Sequence, residues 1–206
     1  MKLEGHSVED NVAPSKHESW RIFCALDLSP RIRESLLRHI LRLREAVPYA
    51  QASWSRAENT HLTLKFLGEI QTSKLNRLSD AVSRAVDGVA GFQVKVEETG
   101  VFPKPAAPRV LWIGVKDKSQ KLARLQSRLE DECSREGFAR EDRPFHPHLT
   151  IARLRKPEGA RALAAAHTKM PFDPIALEIS ECLVMRSEPG SAGSKYTVIS
   201  RHTLDG

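Results

Sequence analysis

The sequence predicts an α+β fold of two similar lobes around a shared central groove. Three observations point there. The segment His61–Leu64 (His-Leu-Thr-Leu) returns as His148–Ile151 (His-Leu-Thr-Ile). Each copy sits in a strand pattern with one helical pattern before it and another after it. Strand pairs that read as hairpins follow each of these units. Apart from the two motifs the halves share little sequence.

The elements follow in order. Trp20–Leu28 is an apolar strand, and Ser29-Pro30 supplies an N-cap and a preset first helical φ. Ile32, Leu36, Leu37, Ile40, Leu41 and Leu43 then recur at helical spacing over Arg31–Val47, and Pro48 ends the helix. Ala52–Ser55 reads as a short strand ahead of the first motif strand, His61–Leu67, which Gly68 closes. A second helical pattern covers Thr72–Val89 and stops before Gly91. Phe92–Val101 alternates apolar and polar as a half-buried strand does, and a Pro-rich turn, Phe102–Pro108, joins it to a strand at Arg109–Val115. A helix over Ser119–Arg135 ends before Gly137. The stiff lead-in Arg143–Pro147 opens the second motif strand, His148–Leu154, followed by a short helix at Glu158–Thr168. Strands at Ile175–Arg186 and Tyr196–Leu204 close the chain around a mobile Gly190–Ser194 turn. The polar, aperiodic residues 1–18 read as a disordered extension, leaving residues 19–206 as one bilobal domain.

Composition sets the limits. A chain of 206 residues, 40% apolar and 28% charged, is that of an ordinary soluble domain with a substantial core. No apolar run approaches the ~20 residues that span a bilayer, and no signal peptide is expected. Cys24, Cys133 and Cys182 lie far apart without Cys-x-x-Cys spacing, so neither a disulfide framework nor a zinc site is indicated and a cytoplasmic location is expected. The net charge of +6 suits an anionic partner such as RNA.

The repeated motif carries the chemistry. At ordinary residue usage a His is followed by Leu-Thr-aliphatic roughly once in a thousand times. Two such hits among eight His are no coincidence. On a strand, residues i and i+2 share a face. His61 with Thr63, and His148 with Thr150, therefore each point one way while their leucine and aliphatic partners point into a core. Two imidazoles and two hydroxyls supply a proton donor, a proton acceptor and two hydrogen-bond donors, a set suited to opening a phosphodiester without a metal. Lys65 shares the His61 face on this alternation. Phe66 and Trp54 are candidates for stacking on a base, although core packing is the better account of either.

Longer segments identify the kind of protein. RIFCALDLSP, ENTHLTLKFLGEI, GVFPKPAAPRVLWIGV, RPFHPHLTIARLR, LVMRSEP and KYTVI, in this order, resemble the RNA 2′,3′-cyclic phosphodiesterase family, also called the 2′-5′ RNA ligase family, of the two-histidine phosphoesterases. The resemblance spans residues 20–204. It implies two pseudo-symmetric lobes of antiparallel sheet with outer helices, and hydrolysis of RNA terminal 2′,3′-cyclic phosphates to 2′-phosphomonoesters. It also implies no cofactor or metal, and in some relatives a reversible 2′-5′ joining of RNA. By this precedent His61 protonates the leaving 3′-oxygen and His148 deprotonates water, while Thr63 and Thr150 bind the phosphate oxygens. Arg153 matches an arginine that follows the second motif, yet its odd offset from His148 needs a bulge or strand end to bring it into the groove. Tyr196 lies near the groove by the same analogy. A monomer acting on RNA with cyclic phosphate ends, away from membranes, is the expectation.

Two other readings compete. His146 and His148 form a His-x-His pair able to chelate zinc, with Asp27, Asp142 or Glu69 as recruits, which would make the chain a metal-dependent phosphoesterase. Alternatively the fold is a non-catalytic RNA-binding module. His6, His17, His39, His167 and His202 show no partner pattern in the sequence.

Overall fold

A computed structural model describes residues 18–190 and 193–206. The expected disordered extension therefore lies, but for Glu18, outside the described residues, as do positions 191 and 192 of the expected mobile turn. Nine strands and four α-helices follow in chain order among the described residues: β1 (Ser19–Leu26), α1 (Pro30–Ala46), β2 (Ser53–Trp54), β3 (Leu62–Gln71), α2 (Leu75–Val86), β4 (Phe92–Phe102), β5 (Val110–Lys116), α3 (Lys121–Arg135), β6 (His148–Arg153), α4 (Ala160–Lys169), β7 (Ile175–Ile179), β8 (Glu181–Glu188) and β9 (Lys195–Thr203). No helix among them is long and apolar enough to cross a membrane.

The strands form two antiparallel sheets, one ordered β3-β1-β8-β9 and the other β2-β6-β5-β4-β7. Leaving aside the two-residue β2, each sheet carries its motif strand at one edge. The β1 strand flanks β3 as β5 flanks β6, so the duplication read from the motifs is present in the topology. The motif strands touch where the sheets adjoin.

The helices exchange lobes. The α1 helix begins as read, with Pro30 at its first position and the Ser29 hydroxyl accepting from the Ile32 amide at 3.4 Å. Although it follows β1 of the first sheet, α1 packs on α4, and through it on the second sheet. Reciprocally, α3 follows β5 of the second sheet yet packs on α2 and β3. The helix ahead of each motif strand thus serves the opposite lobe and stitches the two together. One contiguous core results, in which Ile22, Leu36, Leu62, Leu78, Leu111 and Leu129 are all 1% exposed or less.

One strand differs from the sequence reading. Ile175–Arg186 is two strands: β7 pairs with β4 in the second sheet, Ser180 intervenes, and β8 pairs with β1 in the first. Burial explains why the pattern hid this break. Ile175, Leu177 and Ile179 are buried on one sheet and Cys182, Leu183 and Val184 on the other, so the apolar signal runs on without pause.

Candidate active site

Each motif strand carries a β-bulge at the fourth position of its motif. In β3, Thr63 pairs with Ala25 and Lys65 with Cys24, leaving Leu64 as the extra residue. In β6, Thr150 pairs with Trp112 and Ala152 with Leu111, leaving Ile151 extra. A bulge inserts one residue and reverses the side-chain alternation beyond it. From the motif His onward both segments are therefore half-buried, buried, half-buried, buried, buried, exposed. The sixth position of each, Phe66 and Arg153, returns to the face that carries His and Thr.

This resolves the position of Arg153 and corrects that of Lys65. The bulge brings Arg153 onto the His148 side, near enough for its charge to weigh on the imidazole. Lys65 is turned away from His61 into the core, where it is 2% exposed. Its ammonium donates to Glu130 Oε2 at 2.6 Å and to the Ala139 carbonyl at 2.7 Å. Phe66, in contrast, is 51% exposed on the groove side, its ring 6.1 Å from that of Phe23.

The two imidazoles are held alike. His61 Nδ1–H donates to the Asn59 carbonyl at 3.0 Å, and His148 Nδ1–H donates to the His146 carbonyl at 2.6 Å. A carbonyl only accepts, so both rings are fixed in the tautomer that leaves Nε2 unprotonated and free for substrate. Aromatic side chains wall each ring. Phe23 stacks on His61 at 4.6 Å and Tyr196 meets it edge-on at 5.0 Å. Phe102 stands edge-on to His148 at 5.0 Å, with Trp112 at 6.3 Å. The Trp112 indole lies over Gly100, where a Cβ would fall 2.0 Å from the ring, so only glycine lets it lie there.

Burial sets the electrostatics. It lowers His61 to about 4; the Asn59 carbonyl opposes that, Arg33 adds to it and Asp27 opposes it. His148 is lowered as well, chiefly by burial, with the His146 carbonyl opposing and Arg153 contributing. A phosphate placed between the rings carries negative charge that raises both. A cleft of about 450 Å³ between β3 and the segment 137–142 includes Phe66 but neither motif His.

Comparison with known proteins identifies the family. The family model described as the 2′-5′ RNA ligase superfamily matches residues 32–190. The chain belongs to that superfamily. Among curated members it resembles the RNA 2′,3′-cyclic phosphodiesterase of Methanothermobacter thermautotrophicus, with 33% identity over 180 residues covering 86% of this chain and 95% of the relative. The Escherichia coli enzyme of the same name is 34% identical over 136 residues, covering 66% and 73%. Among solved structures, that of E. coli LigT complexed with 3′-AMP superposes with a TM-score of 0.71 at 28% identity, over 92% of this chain and all of that one. A Thermus thermophilus structure superposes at 0.73 with 25% identity over 89% and 97%. The α+β architecture of two antiparallel sheets is the superfamily's.

The zinc candidates fare differently. Asp27 is engaged by Arg33, and the described residues contain no group of three His, Cys, Asp or Glu placed to hold a metal ion. Sequence reasoning missed Phe23, Phe102, Trp112 and the two carbonyl tethers. The tethers have a trace in retrospect, since each partner lies two residues before its His. Nothing in residue types signals a backbone acceptor.

Proposed function

We propose that the protein opens 2′,3′-cyclic phosphates at RNA ends to 2′-phosphomonoesters by paired-histidine acid–base catalysis, with no metal. The observation that carries this is the matched presentation of two imidazoles. Each has Nδ1 tied to the carbonyl two residues back, a Thr at the next same-face position, and a bulge directly after. In-line opening needs an acid and a base on opposite sides of phosphorus, and two such strands meeting at the sheet junction supply them.

In this mechanism His148 Nε2 takes a proton from water as the water oxygen attacks phosphorus. His61, protonated, gives its proton to the 3′-oxygen as the P–O3′ bond breaks, leaving a 3′-hydroxyl and a 2′-phosphate. The Thr63 and Thr150 hydroxyls donate to the non-bridging oxygens, where charge accumulates, and Arg153 pairs with the phosphate. With a 5′-hydroxyl in place of water, the same step joins RNA ends through a 2′-5′ linkage, His148 taking the 5′-hydroxyl proton and His61 protonating O3′; cleavage of that linkage by the 3′-hydroxyl is the reverse, with the roles swapped. The relatives' name, RNA 2′,3′-cyclic phosphodiesterase, supports the substrate, as does the basic net charge.

The test is product analysis by ³¹P NMR of an RNA ending in a 2′,3′-cyclic phosphate, turned over in ¹⁸O-water. One ¹⁸O in a 2′-phosphomonoester is expected. A 3′-phosphate keeps the site but reverses which oxygen leaves. Tight binding without turnover would instead make the chain an RNA-binding module.

A further inference from the structure

One arginine converges on the segment that delivers His61. Arg33, in the first turn of α1, donates through Nη1 to the carbonyls of Ala57 at 2.7 Å, Glu58 at 3.0 Å and Thr60 at 3.0 Å. Its Nε donates to the Leu28 carbonyl at 3.2 Å, and its Nη2 pairs with the Asp27 carboxylate. The Ala57–Asn59 segment is a single 3₁₀ turn in which the Ala57 carbonyl also accepts from the Thr60 amide at 3.2 Å, and a helix that short ends with carbonyls available to other donors. A planar guanidinium with five N–H groups can gather them where a lysine ammonium, a compact point charge, cannot.

The turn ends at Asn59, whose carbonyl fixes the His61 tautomer. The same residue is held from the other side, its side-chain amide donating to the Ser194 carbonyl at 3.0 Å. We propose that Arg33, paired with Asp27, is a positioning residue for His61: it locks the turn that presents the tethering carbonyl. The inference rests on the paired-histidine reading for its effect on catalysis, but its structural part does not.

The surroundings of His61 make the electrostatic part specific. Phe23 of β1 and Tyr196 of β9 pack on the ring, and the charges that bear on it are Arg33, which holds its pKa down, and Asp27, which holds it up. Removing one member of the pair leaves the other unopposed. Arg33→Met therefore raises the His61 pKa and Asp27→Asn lowers it. A role in packing alone predicts no such opposite pair.

The experiment is ¹⁵N NMR of the imidazoles as a function of pH in the full chain, with His61 assigned by its loss in His61→Gln. Wild type is expected to show His61 with Nδ1 protonated and a titration below the ordinary 6.5. The titration should move up in Arg33→Met and down in Asp27→Asn. In parallel, Arg33→Met should lower kcat about 10- to 100-fold on cyclic-phosphate RNA through misplacement of the acid, with KM within about threefold. Arg33→Lys should fall between, retaining charge without the fork. If Arg33→Met does not fold, Asp27→Asn, which keeps the guanidinium, still reads the coupling. His61 titrating alike in wild type and Asp27→Asn, or full kcat in Arg33→Met, would overturn the proposal. Failure of the wild type to turn over would instead sink the paired-histidine reading, while the imidazole titrations would still decide whether Arg33 and Asp27 govern His61.

Discussion

At the scale of single residues, the sequence was most legible where two residue types had to sit two apart. His61 with Thr63 and His148 with Thr150 needed only strand alternation to be paired, and both pairs stand as the alternation requires. Alternation fails beyond the bulge that follows each Thr. Strand alternation puts Lys65 on the His61 face, yet it lies in the core, while Arg153 needs a bulge to reach the groove and has one. The signal that decides both is backbone register, which residue type encodes only faintly. A pH prediction belongs at this scale. Because burial lowers both motif imidazoles, the free-enzyme form holding one proton between them is most populated below pH 6.5. The pH profile of kcat/KM is accordingly expected to peak on the acid side of 6.5 and to decline as pH rises past 7. A profile that climbs through pH 8 would show that burial does not govern these groups.

At the scale of elements, the bulges and their consequences dominate. The bulge at Leu64 commits Lys65 to a buried pair with Glu130 of α3, which also accepts from the Glu141 amide at 3.4 Å. The first motif strand is thereby fastened to the helix and loop that lead to the second. Breaking such a pair strands a charge in the core. Lys65→Met is expected to cost about 3–5 kcal/mol in urea denaturation, and the double change Lys65→Met with Glu130→Leu to recover much of it. A cost within ~0.5 kcal/mol, usual for surface changes, would contradict the buried placement. On the other motif, Gly100→Ala drives a methyl into the Trp112 indole beside His148. A loss of about 1–3 kcal/mol is expected, with lowered kcat from a displaced His148 wall. The β7–β8 break escaped the sequence for a related reason: hydrophobicity reports burial, and both sheets bury the chain equally well.

At the scale of the whole molecule, the exchanged helices join the lobes through polar contacts that no pattern announced. His39 of α1 and His167 of α4, without partners in the sequence reading, meet at 3.1 Å, and His167 Nε2–H donates to the Trp112 carbonyl at 3.0 Å. His167 Nδ1 is then an acceptor, so His39 donates from Nε2 and both rings are neutral. Burial lowers His39 to about 4 and lowers His167, His61, His148 and His202 too. A group with a depressed folded pKa is neutral in both states above about 6.5. Below that the unfolded chain takes the proton first, so stability is lost as pH falls from about 6.5 toward 4. Each such imidazole contributes a slope of up to about 1.4 kcal/mol per pH unit. Thermal melts across this window should show a steep acid-side fall, made shallower by His39→Gln. A flat profile would mean these rings are solvated. The two-lobed architecture itself was legible because a duplicated motif implies a duplicated frame, whereas the stitching was not, since which lobe a helix covers is a tertiary choice between equally apolar faces.

The central claim is that His61 and His148 act as one acid–base pair without a metal. The most direct test is turnover of a short RNA ending in a 2′,3′-cyclic phosphate, in EDTA, by wild type, His61→Ala, His148→Ala and the double variant. The account predicts EDTA-resistant turnover by wild type, a loss of at least about 100-fold in each single variant, and little further loss in the double, since a pair that works as a unit fails as one. Turnover abolished by EDTA, or retained in either single variant, would contradict it.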